Sequence, residues 1–386
     1  MSSLLVPMKD ILNEAERGGY GVPALNINEM LQLQAYLNAA HELKSPVILQ
    51  ASMGSRKFTG WLSATDPNPD LGAGVTIGMI ETFLEFYKAE YGYGVPVSVT
   101  LDHGPNFKEC KGAIDKGFTA VMIDGSLDYD TEDENGKHPP RSLEDNIALT
   151  KQVCDYAHSK GVSVEGELGT LGGIEDETAA TKVQLTDPDE VEQFVAETGV
   201  DALAVAIGTS HGAYKFKTAP TLALDLVPKI HAKAGDCRLV MHGSSSVPQD
   251  LVALINEYPV VQLKGGTIQV SGYMHGNEKE VACKSYDLAD AAAMAQLGKD
   301  MATFSCLKKS AGVPMEQIAE AIKGGVRKIN VDTDGRLGTT GSIRKYMAEN
   351  PDVFDQRKYF DKAREALYDM AVDKMEGFGS KGQANV

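Results

Sequence analysis

Three of the eight histidines stand beside a glycine at or shortly after the end of a predicted strand. They are His103 in LDHG, His211 in SHGAY and His242 in VMHGSSS. Three imidazoles that converge from different strands form a metal site with open coordination positions, which suits Zn²⁺ or a similar transition ion. A single histidine of this kind is more often a hydrogen-bonded structural residue, so the hypothesis depends on all three occurring together.

A metal with open positions either activates a water molecule, as in hydrolases, or acts as a Lewis acid that polarises a carbonyl group. Metallohydrolase barrels commonly begin with an HxH pair, and this sequence contains none. The Lewis-acid alternative needs a carboxylate for proton transfer, and Asp102 directly precedes His103. Neighbouring strand residues point to opposite faces, but the last residue of a strand is able to turn inward again. This pair therefore predicts a metal ligand and a proton-transfer group in one site.

A second group of carboxylates lies around the fifth predicted strand. Glu165 and Glu167 are two residues apart and so share one face of that strand. Carboxylates inside a barrel need a cation as partner or a role as a base. Three glycines within residues 169–173 then lead to Glu175. A carboxylate on a glycine-rich segment is typical of a mobile general base that closes over a substrate.

Glycines and hydroxyl residues near the seventh and eighth predicted strands indicate a phosphate site. They are Gly212, Gly243, the serines at 244–246 and the segment 330–333. The Walker pattern GxxxxGK[ST] is absent, which argues against a nucleoside triphosphatase. A GxGxxG string at 377–382 has no predicted strand before it and no helix after it, so we interpret it as a chance match.

The elements that position these residues are eight apolar, β-branched runs that alternate with helix-like stretches. The runs are residues 21–27, 47–52, 97–102, 120–126, 162–167, 202–208, 238–243 and 328–333. Helical periodicity is found for instance at 30–43, 80–91, 143–159, 189–197 and 314–322. Strands that are apolar on both faces suit a parallel sheet covered by helices. Eight alternations predict a (β/α)₈ TIM barrel with its site at the carboxyl ends of the strands, and a doubly wound sheet is the alternative.

Two stretches interrupt the alternation. Residues 129–141 are polar and rich in turn formers, which predicts a surface loop. The connection between the seventh and eighth strands is far longer than a βα unit needs. Within it, we interpret residues 262–306, which hold an apolar helix around 288–297, as an insertion that packs outside the barrel or on a neighbouring subunit. Residues 1–386 are otherwise expected to form a single barrel domain.

Composition and charge exclude several classes of protein. The 386 residues include 37 Lys and Arg against 54 Asp and Glu, which gives a formal charge of −17. This acidity argues against nucleic acid or an anionic membrane as the main partner. No apolar run is long enough to span a bilayer and no signal peptide is evident. The five cysteines are widely spaced and form no CxxC, which favours the reducing cytoplasm over a disulfide framework.

The sequence resembles the class II, zinc-dependent fructose-bisphosphate aldolases, and most closely the Calvin-cycle-type subgroup. The motifs follow the order of the family over most of the chain. They are GYGVPALNIN, SPVILQAS, VTLDHG, VMIDGS, VEGELGTLGGIED, AIGTSHGAYKF, MHGSSSVP, GVRKINVDTD and FDQRKYF. The resemblance implies a TIM barrel that cleaves fructose 1,6-bisphosphate reversibly into two triose phosphates.

The resemblance also implies roles for individual residues. His103, His211 and His242 are implied to be the zinc ligands. Glu167 and Asp124 are implied to hold the metal or to bind it alternately. Asp102 corresponds to the group that moves a proton on the C4 oxygen, and Glu175 to the acid/base that acts on the carbon of the enediolate. Residues implied for the dihydroxyacetone phosphate half, often aided by a monovalent cation such as Na⁺ or K⁺, are Gly212, Gly243, Ser245, Asn330 and Thr333.

The rest of the substrate is implied to contact Asn26, Ser52 and Asp332. In the family, a basic residue of a neighbouring subunit reaches the remote phosphate, so the resemblance implies a homodimer or homotetramer. Arg336 and Arg364 are the candidates for that residue.

Several alternatives remain open at this stage. Tagatose 1,6-bisphosphate differs from the fructose compound only at C4, and sedoheptulose bisphosphate is a further possible substrate. A Schiff-base lysine, with Lys215, Lys264 and Lys328 as candidates, would replace the metal. Outside this class, a metallohydrolase would use a metal-bound water, and a metal-storing or scaffolding barrel would not need Asp102 and Glu175 together. The departures from the family are the insertion, the long stretch 61–78 and Gly335 after DTD.

Overall fold

The fold is described from a computed structural model, which covers residues 5–63, 65–134, 137–173, 183–212, 216, 220–274, 277–302, 304–307 and 310–384. Eight parallel strands close into a barrel in which each strand lies beside its sequence neighbours and the eighth pairs with the first. They are β1 Val22–Asn26, β2 Val47–Ser52, β3 Val97–Gly104, β4 Ala120–Ile123, β5 Ser163–Leu168, β6 Ala202–Val205, β7 Arg238–Met241 and β8 Val326–Val331. The predicted (β/α)₈ barrel is confirmed.

Each barrel strand is followed by at least one helix, as the alternation predicts. The helices are α1 Met8–Gly18, α2 Met30–Glu42, α3 Met53–Thr59, α4 Pro69–Tyr91, α5 Phe107–Asp115, α6 Leu143–His158, α7 Pro188–Thr198, α8 Val227–Ala234, α9 Gln249–Glu257, α10 Ala291–Met301, α11 Met315–Gly324, α12 Thr333–Glu349 and α13 Gln356–Gly377. A short 3₁₀ turn at Leu224–Leu226 precedes α8. In the described part of the chain, no helix is both long enough and apolar enough to cross a bilayer.

Burial on both faces of the strands explains their continuous apolar character. Ala24, Ala120 and Ala202 are fully buried and, together with the larger Ile48 and Met122, belong to an inner apolar layer. Helix α1 closes the amino-terminal end, where Met8 and Leu12 pack against this inner layer. The opposite end is left for polar side chains, because the apolar layer stops below the carboxyl ends of the strands.

Helix α4 begins earlier than the predicted stretch at 80–91. The Asn68 side chain accepts a hydrogen bond from the Leu71 backbone N–H, and Pro69 occupies the first helical position. Glycines in the first half of the helix obscure its periodicity in the sequence. One of them, Gly72, lets α4 approach α3 so closely that a Cβ atom there would lie 1.9 Å from the Arg56 carbonyl oxygen.

Residues 262–306, which the sequence predicts to be an insertion, contain more strand than expected. The predicted helix around 288–297 is present as α10, but it packs beside antiparallel strands at Val261–Lys264, Thr267–Met274, Asn277–Asp287 and Phe304–Ser305. A two-residue turn joins the first two strands, and Gly265 and Gly266 both have positive φ angles, +58° and +79°. Such a turn favours glycine at both positions, so the Gly-Gly pair is the signal that predicts this hairpin.

Candidate metal and substrate site

The carboxyl ends of three strands bring three buried histidines together. His103 lies in β3, His242 directly follows β7, and His211 belongs to the short segment Ser210–His211 after β6. The ring centroids are 5.0 Å apart for His103 and His211, and 4.8 Å apart for His103 and His242. One nitrogen of each ring lies within 4.8 Å of the others. This is the convergence that the sequence spacing predicts.

Asp102 and His103 both reach this site because the backbone is irregular between them. His103 has a φ of +46°, and the pairing of β3 with β4 shifts register between Leu101 and Gly104. The Asp102 carboxylate accepts a hydrogen bond from the Asn26 amide, Nδ2 to Oδ2, at 2.8 Å. Its Oδ1 atom is buried and has no hydrogen-bond partner among the described residues. Of the two carboxylate oxygens of Asp102, the proton-transfer candidate, only Oδ2 is therefore held by a hydrogen bond among the described residues.

A carboxylate orients the imidazole of His103. Its Nδ1 lies 3.0 Å from Oδ2 of Asp124, which also accepts from the Tyr129 hydroxyl at 2.5 Å. Burial alone would lower the pKa of His103, but the carboxylates of Asp124, Asp102 and Glu167 raise it well above the ordinary value. Across the described ranges, its Nε2 is buried without a hydrogen-bond partner. That nitrogen is the one left for a metal.

A second carboxylate orients His242. Its Nε2 lies 2.7 Å from Oε1 of Glu165, whose Oε2 lies 2.8 Å from the Lys328 ammonium. Burial alone would raise the pKa of Glu165, but Lys328 and His242 lower it to about 2. Burial also lowers the pKa of His242, so its ring is neutral at pH 7. The Asn330 amide nitrogen lies 3.0 Å from the other ring nitrogen, Nδ1, and 3.1 Å from Nε2.

Glu167 forms a second possible metal group with His103 and Asp124, because their ligand atoms also lie within 4.8 Å of one another. Burial and the neighbouring Asp124 raise the pKa of Glu167 well above its ordinary value. Its Oε2 is buried and has no hydrogen-bond partner within the described part of the chain. Buried carboxylate oxygens without hydrogen-bond donors, beside imidazoles that can become neutral, fit a divalent transition ion. Such an ion would bind both kinds of group at once.

The predicted phosphate residues lie beside the start of α12. The Ser245 hydroxyl oxygen accepts the backbone N–H groups of Asp332 and Thr333 at 3.1 and 3.2 Å. Gly243 has a φ of +62°, and a Cβ atom there would lie 2.6 Å from the Ser210 carbonyl oxygen. Gly212, with a φ of +81°, follows His211 on the same side. These segments are therefore packed backbone against backbone next to the histidines.

The remaining candidates are distributed around the site. The Ser52 hydroxyl caps α3 by accepting a hydrogen bond from the Ser55 backbone N–H. Ser52 also lies opposite Asp102 in the pairing of β2 with β3. Arg336 is half-exposed and forms an ion pair with Asp332 at 2.8 Å. Arg364 lies on α13 and pairs with Asp361. Glu175 lies outside the described residues, and the described chain before it ends at Gly173, which pairs with His211.

The three candidate Schiff-base lysines differ sharply in their burial and their contacts. Lys328 is fully buried and ion-paired with Glu165, Lys264 is exposed on the hairpin of the insertion, and Lys215 lies outside the described residues. Sequence reasoning did not assign Lys328 to the metal site, although it shares a strand face with Asn330, two residues later. It also missed Tyr129, because residues 129–141 carry no periodic signal, and their described part consists of turns and isolated bridges.

The chain is similar to known proteins along nearly its whole length. A family described as "Fructose-bisphosphate aldolase class-II" matches residues 6–383. A fructose-bisphosphate aldolase of Pseudomonas aeruginosa is 41% identical, covering 99% of this chain and 93% of that protein. One of Giardia intestinalis is 39% identical, covering 98% and 94%. One of Nostoc sp. is 38% identical, covering 99% and 91%.

Solved structures match in fold. An aldolase of Escherichia coli K12, YdjI, superposes with a TM-score of 0.63 at 23% identity, covering 99% of this chain and all of that one. A fructose-bisphosphate aldolase of Campylobacter jejuni gives a TM-score of 0.64 at 19% identity, covering 98% and 95%. The family resemblance stated from the motifs is confirmed.

Proposed function

Because the chain belongs to the class II fructose-bisphosphate aldolase family, we propose that it cleaves fructose 1,6-bisphosphate reversibly into dihydroxyacetone phosphate and glyceraldehyde 3-phosphate. The observation that carries the proposal is the burial of three convergent histidines beside Asp102 at the carboxyl end of the barrel. We propose Zn²⁺ as the ion, held by His103, His211 and His242, with Glu167 and Asp124 as alternative ligands. When bound, zinc supplies a Lewis acid that polarises the ketose carbonyl.

Asp102 performs the first proton transfer in this proposal. Its Oδ1 is the oxygen without a hydrogen-bond partner among the described residues, whereas Asn26 holds Oδ2. Oδ1 takes the proton of the C4 hydroxyl as the C3–C4 bond breaks, and the bonding electron pair passes to the ketose half. In the condensation direction Asp102 returns that proton to the aldehyde oxygen.

Glu175 performs the second proton transfer. It delivers a proton to C3 after cleavage and removes one from dihydroxyacetone phosphate in the reverse reaction. Two features support this role: the glycine-rich segment before Glu175, and the pairing of Gly173 with His211 at the edge of the site.

Ser245 is the best-supported phosphate contact. A hydroxyl has one donor and two acceptor positions, and two backbone N–H groups already donate to the Ser245 oxygen. Its own proton is therefore left to donate to a phosphate oxygen. We propose that Gly212, Gly243, Asn330 and Thr333, with Na⁺ or K⁺, complete the pocket. The rest of the substrate would contact Asn26, Ser52 and Asp332, and Arg336 or Arg364 of a neighbouring subunit would reach the remote phosphate.

We also infer a single domain that carries 262–306 as an insertion, a homodimer or homotetramer, and a reducing cytoplasmic setting. All five cysteines are free thiols, and Cys110, Cys154 and Cys237 are buried. Burial raises the pKa of the Cys110 thiol far above its ordinary value, so this thiol is unreactive.

The test is the release of triose phosphate from fructose 1,6-bisphosphate by the untreated protein, by the chelated protein and by the chelated protein after Zn²⁺ is restored. Activity that is lost with the chelator and returns with the metal supports the proposal. Activity that survives complete metal removal contradicts it. Tagatose 1,6-bisphosphate, assayed in parallel, decides between the two C4 epimers by their kcat/KM values.

A further inference from the structure

The turn that follows β7 is attached to the first turn of α12. The backbone N–H groups of Ser246 and Val247 donate to the two carboxylate oxygens of Asp334 at 3.0 and 2.9 Å. Asp334 is fully buried. A carboxylate that accepts two consecutive backbone N–H groups fixes the orientation of both peptides.

A lysine from the last helix completes this group. The Nζ atom of Lys374, on α13, lies 3.1 Å from Oδ2 of Asp334, 2.8 Å from Oγ of Ser246 and 3.0 Å from the Asp373 carboxylate. The three N–H bonds of the ammonium group therefore all have acceptors. Burial lowers the pKa of Lys374, but the two carboxylates outweigh it and raise the pKa above its ordinary value. The lysine is charged at neutral pH. We call Lys374, Asp334 and Ser246 the anchoring cluster.

The turn needs such attachment because its backbone is strained. Val247 has a φ of +49°, in the left-handed region that a β-branched residue rarely adopts. A conformation of this kind persists only where the surrounding contacts hold it. The Asp334 carboxylate bonds the N–H group of this very residue, so the anchoring cluster supplies that contact.

Ser245 joins the strained turn to the proposed phosphate pocket. It directly precedes Ser246, and its hydroxyl accepts from Asp332 and Thr333, at the same helix end that carries Asp334. The turn and the helix end therefore form one unit, in which the direction of the Ser245 hydroxyl depends on the residues that follow it.

We propose that Lys374 is a positioning residue for phosphate recognition: through Asp334 and Ser246 it holds the turn that presents Ser245 to the phosphate of the substrate. This inference rests on the proposed function. In this proposal Lys374 touches no substrate atom and acts only on the binding of the phosphate group. Because that group does not react, its binding is equal in the ground state and the transition state. Loss of such binding raises KM and leaves kcat nearly unchanged.

The experiment compares Lys374→Met with Lys362→Met. The control removes a lysine from the same helix, where Lys362 is exposed and pairs with Glu365. We expect Lys374→Met to raise KM for fructose 1,6-bisphosphate roughly ten- to a hundredfold, the range for a lost charge-assisted hydrogen bond. Zinc content and kcat should remain close to the parent values. Lys374→Arg, which keeps the charge, should recover part of the loss, and Lys362→Met should behave as the parent.

An unchanged KM in folded Lys374→Met would overturn the proposal, and so would an equal rise in Lys362→Met. If Lys374→Met does not fold, Ser246→Ala replaces it, because it removes one partner of the ammonium group at little structural cost; an unchanged KM there also overturns the proposal. A parent protein that fails to cleave the substrate contradicts the proposed function instead. Hydrogen exchange at residues 243–248 then tests the cluster, since protection equal to the parent in Lys374→Met would mean that the lysine does not hold the turn.

Discussion

The ammonium group of Lys328 lies 2.8 Å from Oε2 of Glu165, and both side chains are fully buried. The cation keeps this carboxylate ionised inside the barrel, and an ionised carboxylate only accepts hydrogen bonds. Its partner, Nε2 of His242, must therefore carry the proton, which leaves the lone pair of the neutral ring on Nδ1. Glu165 and Lys328 thus fix the tautomer of His242, whose Nδ1 faces the Asn330 amide nitrogen at 3.0 Å.

Replacing Glu165 by Gln is expected to weaken zinc binding. The neutral amide no longer fixes the tautomer of His242 and leaves the Lys328 ammonium without its charge partner. Loss of such an orienting partner typically costs ten- to a hundredfold in metal affinity, roughly. Competition with a chromogenic chelator measures the change, and Glu320→Gln, at an exposed position on α11, is the control. Equal zinc affinity in the two variants would exclude the orienting role.

Replacing Asp102 by Asn should remove catalysis while the metal stays bound. The amide preserves the shape of the side chain but cannot take the C4 proton, so we expect kcat to fall by roughly 10²- to 10⁴-fold. Zinc analysis of the same preparation shows whether the metal site is intact. A variant that turns over at the parent rate, or one that has lost its zinc, contradicts the assignment of Asp102 as the proton-transfer group.

Two glycines of α4 provide a matched test of packing. Gly72→Ala would place Cβ 1.9 Å from the Arg56 carbonyl oxygen, so α3 and α4 must separate. We expect a loss of about 1–3 kcal/mol, the usual range for overpacking. Gly74→Ala meets no atom within 4 Å and should instead stabilise the helix by about 0.5–1 kcal/mol. Thermal unfolding of both variants measures the difference, and a Gly72→Ala protein as stable as Gly74→Ala would contradict this packing.

Asp300 ties α10 to the strands of the insertion. Its carboxylate accepts from the Tyr286 hydroxyl at 2.7 Å and the Lys284 ammonium at 2.9 Å, and these two bonds lower its pKa to about 2. Since the pKa is lowered on folding, the stabilisation is complete above the ordinary carboxyl pKa and is lost as the pH falls towards 2. Asp300→Asn should therefore make residues 262–306 more sensitive to limited proteolysis at pH 7. Unchanged cleavage kinetics would show that other contacts hold the helix.

The position of the site was predictable because parallel strands in a barrel must end at one rim. His103, His211 and His242 lie at or just after the carboxyl ends of three such strands, and this alone brings them together. What could not be predicted depends on backbone that departs from periodicity. The sequence predicts Asp102 and His103 in one site, but it does not predict the φ of +46° at His103 that brings both residues there. The contact of Lys328 with Glu165 crosses the barrel between β8 and β5. The alternation of side chains along a strand predicts which face each residue occupies, but not which residue of another strand it contacts.

The insertion has a consequence for how the molecule can be divided. Strands β7 and β8 are neighbours in the barrel, with Leu239 opposite Val326, although the insertion separates them in the chain. A cut at the exposed turn of Gly265 and Gly266 leaves the three histidines on one piece and Lys328 and Lys374 on the other. Neither piece holds a complete site, so we expect turnover only after the two recombine.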